Sequence, residues 1–354
     1  MFGKVRIAAV VLVIVLAFAF AGCQAASDDA GVAPTVTTTV TPNPVVEVPS
    51  IPVGHAGISK NAVIWAQGST IHVGKQTIDV APLDVDEFVA ARGGIYFTSH
   101  DQLWFTDLIR ARQSGLSRID NVTISANRRY LGLIDYVHGP EDKYGTPLAA
   151  AVVYDLRTGD RVIHDATGMG STRSDDLQNL YEDAGQAALG FDAENFYVAT
   201  TGGTFAFPLD ASKPHPAREP NVLTPAGAEV GVSKKAGRYV INREIGVEPY
   251  SATLGPGERY ADAITGNWEF RPFDPATGAP ITVAGAPRWL VPGVWTSPTT
   301  IVGQALNADQ AVADKPGGIF SCDLANRKCV EVVPKAELTP NQAIVFGTGS
   351  ASEQ

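Results

Sequence analysis

Ile124-Ser-Ala-Asn-Arg-Arg-Tyr-Leu-Gly-Leu133, followed by Ala151-Val-Val-Tyr-Asp-Leu-Arg-Thr-Gly-Asp-Arg-Val-Ile163, is the stretch from which the fold can be read. Short apolar runs flank compact polar turns, and no 3.6-residue period runs through them, so the pattern predicts β-strands joined by tight turns. The unit recurs. Val232-Ser-Lys-Lys-Ala-Gly-Arg-Tyr-Val-Ile241 leads to Phe270-Arg-Pro-Phe-Asp-Pro-Ala-Thr-Gly-Ala-Pro-Ile-Thr-Val283. Ile319-Phe-Ser-Cys-Asp-Leu-Ala-Asn-Arg-Lys-Cys-Val-Glu-Val332 repeats the second half. Gly159 and Gly278 fall where a turn needs positive φ.

These segments resemble blades of TolB-like and WD-repeat-like β-propellers. In that family a Ser-x-x-x-x-Arg-Tyr-Leu turn joins strands a and b, and Tyr-Asp-Leu-x-Thr-Gly joins strands c and d. The resemblance covers residues 56–334 and implies an all-β propeller. Each blade would be a twisted sheet with two apolar faces, buried by radial packing that also shields strand edges. Six c–d hairpins are expected, at Ile71–Val80, Leu103–Leu116, Val152–Ile163, Thr204–Leu223, Trp268–Val283 and Ile319–Val332. They predict six blades, with seven as the alternative and a two-sheet sandwich as the competing fold. Ala343-Ile-Val-Phe346 reads as a strand able to close the ring, and residues 348–354 as a disordered tail.

The N-terminus has its own logic. Lys4 and Arg6 precede an apolar run, Ile7–Phe20, too short to span a bilayer and suited to a signal peptide over residues 1–22. Ala21-Gly22-Cys23 resembles a bacterial lipobox, with Phe20 where Leu is usual. That implies a lipidated Cys23 and attachment on the extracytoplasmic side of the cell membrane. Cutting near Ala25-Ala26 is the plainer reading. Residues 23–54, rich in Thr and Pro, read as a flexible tether, and residues 55–347 as the body.

Of the three cysteines, Cys23 is taken by the lipid, which leaves Cys322 and Cys329 as a pair in an oxidising compartment. Aligned on the repeat, they sit where Tyr154 and Arg161 face each other across a hairpin, a spacing that suits a disulfide.

The formal net charge is −10, and loss of Lys4 and Arg6 with the leader makes the mature chain more acidic still. That excludes nucleic acid, whose binding rests on phosphate neutralisation, as a partner class. The long segments fall in the b–c and d–a class of connections: residues 136–148, 166–186, 246–266 and 307–318. They are acidic and carry tyrosines. Long loops on a rigid scaffold are where binding sits. The expected binding face therefore includes Tyr136, His138, Tyr144, Tyr250, Arg259, Tyr260 and Asp262, and its partner is an envelope protein or polymer.

No catalytic motif is present: neither Gly-x-Ser-x-Gly nor His-Glu-x-x-His occurs. His100-Asp101 and His164-Asp165 are adjacent in sequence and read as turn residues rather than dyads. Thr167-Gly-Met-Gly-Ser-Thr-Arg173 has the glycines of a phosphate loop without the βαβ context. The expectation is a monomeric binding module without metal or cofactor. The alternative is a propeller enzyme, a metal-dependent hydrolase or quinone-dependent oxidoreductase, with its site at the channel mouth.

Overall fold

The computed structural model describes residues 49–59, 62–217, 228–229, 249–254, 261–265, 270–274, 279–306, 316–340 and 342–347. The proposed leader, Cys23 and most of the tether lie outside these residues.

Six antiparallel sheets follow one another along the chain. The first contains β1 (Ile64–Gln67), β2 (Thr70–Val73) and β3 (Gln76–Asp79). The second is β4 (Glu87–Ala90), β5 (Ile95–Ser99), β6 (Gln102–Thr106) and β7 (Ala111–Ser117). The third is β8 (Ile119–Ile124), β9 (Tyr130–Asp135), β10 (Ala150–Asp155) and β11 (Asp160–Asp165). A short helix, α1 (Leu177–Asp183), precedes the fourth: β12 (Ala187–Phe191), β13 (Asn195–Thr200), β14 (Gly203–Pro208) and β15 (His215–Pro216). The fifth has three strands among the described residues, β16 (Ala228–Glu229), β17 (Pro249–Leu254) and β18 (Ala261–Thr265). The sixth is β19 (Leu290–Ser297), β20 (Thr300–Leu306), β21 (Pro316–Asp323) and β22 (Lys328–Val333). The last strand, β23 (Ile344–Phe346), returns to pair with β1 and makes the first sheet four-stranded. Five sheets thus have four strands.

Successive sheets bury their faces on one another. Ile71 and Ile78 of the first meet Phe88, Ile95 and Phe97 of the second. Tyr96, Leu103 and Phe105 meet Leu131, Leu133, Val152 and Tyr154 of the third. Val153 and Ile163 meet Phe191, Phe196 and Phe207 of the fourth. Val302 and Ile319 of the sixth meet Trp65 and Phe346 of the first. First strands adjoin in turn, β23 to β4, β4 to β8 and β8 to β12, and β19 packs on β23. Sheets stacked face to face around their first strands make this a β-propeller. Middle strands such as β5 and β10 are buried along their whole length, and hence read as unbroken apolar runs, whereas β11 is mostly exposed.

The repeated turns work through side chains. Ser125 Oγ accepts from Tyr130 N and donates to Asn127 Oδ1, which in turn accepts from Arg129 N. Asp155 Oδ1 accepts from Arg157 N, and Gly159 N donates to Asp155 O, with Gly159 at φ 82°. Arg129 then reaches across to Asp155 Oδ2 at 2.8 Å, so the a–b turn is tied to the c–d turn. Asp323 does the same local work in the sixth sheet by accepting from Ala325 N and Asn326 N. Cys322 and Cys329 stand opposite each other in that hairpin, as Tyr154 and Arg161 do in the third, and form a disulfide with Cα atoms 4.0 Å apart.

Three features depart from the sequence reading. Residues 246–266 were expected to form one b–c loop, yet Pro249–Leu254 and Ala261–Thr265 are paired strands. The Gly255-Pro-Gly257 punctuation hides their pattern. The hairpin expected at Trp268–Val283 is reduced, among the described residues, to one bridge between Phe273 and Pro280. Pro272 and Pro280 have no N–H for a ladder. Ala284 instead bridges to Lys328 on the edge of the sixth sheet. Finally, the body reaches back to residue 49. Ile51 N donates to Gly159 O at 3.0 Å, Tyr96 OH donates to Pro52 O at 2.6 Å, and Ala56 N donates to Gly93 O at 3.0 Å. Ile51 is buried between the second and third sheets, because one isoleucine and a few main-chain bonds suffice to seat a proline-rich segment.

Candidate functional site

The b–c and d–a connections of the second and third sheets enclose a cleft of about 680 Å³. Its walls come from Asp101 in the β5–β6 turn, Arg118 between β7 and β8, the 136–148 loop and the helix-bearing 166–186 loop. A volume of this order suits a peptide segment or small polar ligand.

The two long loops are knitted together by buried Asp142. Its Oδ1 accepts from Tyr144 N at 2.8 Å and Thr146 N at 3.0 Å, and its Oδ2 accepts from Leu177 N at 2.9 Å. Asp176 caps α1 by accepting from Asn179 N. Tyr181 sits on the inner side of α1, and its OH accepts from Ala149 N at 2.8 Å, which fixes the helix to the start of β10. Burial pushes the Tyr181 hydroxyl pKa up, so it stays protonated. Tyr136 meets Tyr181 edge to face with ring centres 6.1 Å apart, and donates through its OH to Gln186 Oε1. Tyr136 and Tyr181 thus line the cleft with rings already held in place.

Below the loops lies Asp135, whose side chain is 1% exposed. It accepts from Val137 N, His138 N and His138 Nδ1, the last at 2.9 Å. His164 Nε2 stands 3.9 Å from its Oδ2. Burial, followed by the neighbouring Arg161, lowers the pKa of His164. This Asp–His contact resembles a catalytic dyad, but its carboxylate is engaged in shaping the root of the 136–148 loop. Among the described residues no group of three or more His, Cys, Asp or Glu is arranged to hold a metal ion.

The predicted face residues divide. Tyr136 lines the cleft. Tyr144 projects from the loop tip, 61% exposed, with Lys143 Nζ 4.6 Å from its ring centre. His138 turns inward to Asp135 instead of facing solvent, since the buried carboxylate below it needs donors. Tyr250 is the second residue of β17 and Asp262 the second of β18, paired with Thr253, so they stand at opposite ends of one strand pair and share no loop. Arg259 and Tyr260 lie outside the described residues. The glycine stretch at 167–173 is a packed corner in which Met169 is buried and Gly202 N donates to Gly168 O.

Sequence reasoning missed Asp101 and Arg118 as cleft residues. A signal did exist. His100 and Asp101 fill both central positions of a two-residue hairpin with φ of 51° and 58°, where Asn-Gly is the usual choice. Arg118 is also left-handed, at φ 52°.

No family model matches the sequence, and no curated protein matches it. Among solved structures, the chain is similar to TolB from Acinetobacter baumannii, at 10% identity over 83% of this chain and 67% of that one, TM-score 0.42. It is also similar to oligogalacturonate lyase from Vibrio parahaemolyticus, at 9% identity over 78% and 80% of the two chains, TM-score 0.32. BamB from Moraxella catarrhalis is a third, at 12% identity over 75% and 63%, TM-score 0.26.

Proposed function

We propose that the protein is a cell-envelope lipoprotein whose six-bladed propeller binds a protein or polymer partner through its b–c/d–a face. Residues 1–22 direct export, Cys23 carries the lipid, and the Pro/Thr-rich stretch spaces the body from the membrane. Six consecutive sheets, the first completed by the C-terminal strand, support six blades. The observation that carries the binding role is the cleft itself: about 680 Å³, walled by loops that Asp142 and Tyr181 lock together. Such loops bind without first being ordered, which favours affinity.

Cys23→Ala should move the protein from the membrane to the soluble fraction; continued membrane association would remove lipidation from the account. Gly185 gives a direct probe of the cleft. It lines the space, and a Cβ added there meets nothing within 4 Å. A photo-crosslinking residue at position 185 should yield discrete adducts in intact cells, and one at Lys75, on an exposed c–d turn at the opposite face, should not. Gly185→Trp should abolish capture without lowering thermal stability. Adducts at both positions, or at neither, would count against the cleft as the binding site.

A further inference from the structure

The ligand class of the cleft follows from which of its charges are already engaged. Around it, Asp142 binds the backbone of both loops, Asp175 accepts from Ser171 N at 2.7 Å, and Asp176 caps α1. These carboxylates are structural. Two others, Asp101 and Glu182, line the open space. Glu182 receives one exposed contact, from Gln178 Nε2 at 3.1 Å. Among the described residues neither the Asp101 carboxylate nor the Arg118 guanidinium, both at the surface, has a side-chain partner.

Asp101 is held out by a costly turn. The equivalent two-residue turn of the first sheet has Gly68 at φ 54°. The second sheet instead has His100-Asp101, both left-handed, a conformation that L-residues with a side chain adopt at a free-energy cost. Tyr136 and Tyr181 complete the site, with ring planes at 73° forming an aromatic corner. Ring faces attract cations, and carboxylates close by reinforce that preference.

We infer that the cleft receives an isolated lysine or arginine side chain from an extended segment of a partner protein. Asp101 and Glu182 balance its charge, the tyrosine corner covers its stem, and Arg118 is available to main-chain carbonyls of the same segment. The acidic chain steers a basic partner toward it. This inference rests on the binding role proposed above for the same cleft.

The test is fluorescence anisotropy with the full chain in detergent. The probes are labelled acetyl-Gly-Lys-Gly-Lys-Gly-amide and its Gln counterpart, with maltohexaose as competitor. The Lys peptide should bind about tenfold more tightly than the Gln peptide, and more weakly in high salt. Asp101→Asn, which keeps a residue tolerant of left-handed φ, and Glu182→Gln should each weaken it about five- to twentyfold. Lys75→Gln should leave binding unchanged, and all variants should melt with wild type. Equal binding of the two peptides, displacement by maltohexaose, or an unaffected Asp101→Asn would overturn the inference. If discrete adducts form at position 185 and none at Lys75 while the Lys peptide fails, the cleft still binds but its ligand class is wrong. Absence of adducts at 185 would instead defeat the binding role itself.

Discussion

A chain ending at Gln342 should lose most of its stability and self-associate. Strand β23 pairs Phe346 with Trp65, Val345 with Ala66 and Ile344 with Gln67, and β1 is buried along its whole length. Without β23, that strand becomes an open edge next to exposed Trp65, Val302 and Ile319. Phe346 alone is 8% exposed and packs so close to Gly293 that a Cβ there would fall 2.2 Å from its ring. Phe346→Ala should cost about 3 kcal/mol in urea unfolding, near the lower end for a buried phenylalanine. The truncation should cost more, and should elute as oligomers in gel filtration. A monomeric truncated chain within about 1 kcal/mol of wild type would show that β23 does not close the fold.

Asp155→Ala is expected to be the most damaging single charge deletion. The carboxylate is buried and accepts from Arg129 Nε and Nη2 and from Arg157 N, Nε and Nη2, at 2.8 to 3.2 Å. Burial alone would raise its pKa. The hydrogen bonds from Arg157 and Arg129 outweigh burial and hold it far below the usual carboxylate range. Breaking a buried pair costs about 3–5 kcal/mol, but Arg129 and Arg157 have side chains 37% and 65% exposed, so solvent screens part of it. About 2–3 kcal/mol is the expected loss at neutral pH. A depressed pKa contributes stability that is present above the unfolded value, about 3.9, and lost as pH falls below it toward the folded value. The gap between wild type and Asp155→Asn in urea midpoint should therefore narrow below about pH 4. A gap constant from neutral pH down to about pH 2 would mean the charge contributes nothing.

How far the sequence could be read depended on whether the deciding contacts are local. The Ser125 and Asp155 turns close within a few residues, so their motifs carry their own geometry. The disulfide was legible because Cys322 and Cys329 occupy a repeat position whose register is fixed by its turn. The tail strand was legible from three apolar residues, Ile344 to Phe346. Partners distant in sequence were not legible. Nothing near His138 shows that Asp135 is buried beneath it and shared with His164, and nothing in Asp142 announces that it will hold Leu177, 35 residues away. Helix α1 is only seven residues long, too short for its period to stand out in a polar loop. Asp101 and Arg118 were hidden because a left-handed backbone without glycine leaves no compositional mark.

The seating of residues 49–59 has a mechanical consequence. If the chain is hauled from its N-terminus, load arrives first at the Ile51 and Pro52 bonds to Gly159 and Tyr96, and then at Ala56 and Ile58 on the 92–93 turn. Arg128 grips the same segment through the carbonyls of Ile58 and Ser59. Traction is thus shared between the second and third sheets before it reaches β1, where the three-residue β23 pairs and Gln67 bonds the main chain of Thr339 and Gln342. The segment acts as a strain relief: a pull arriving from the N-terminal side is spent on the second and third sheets before it can peel the first.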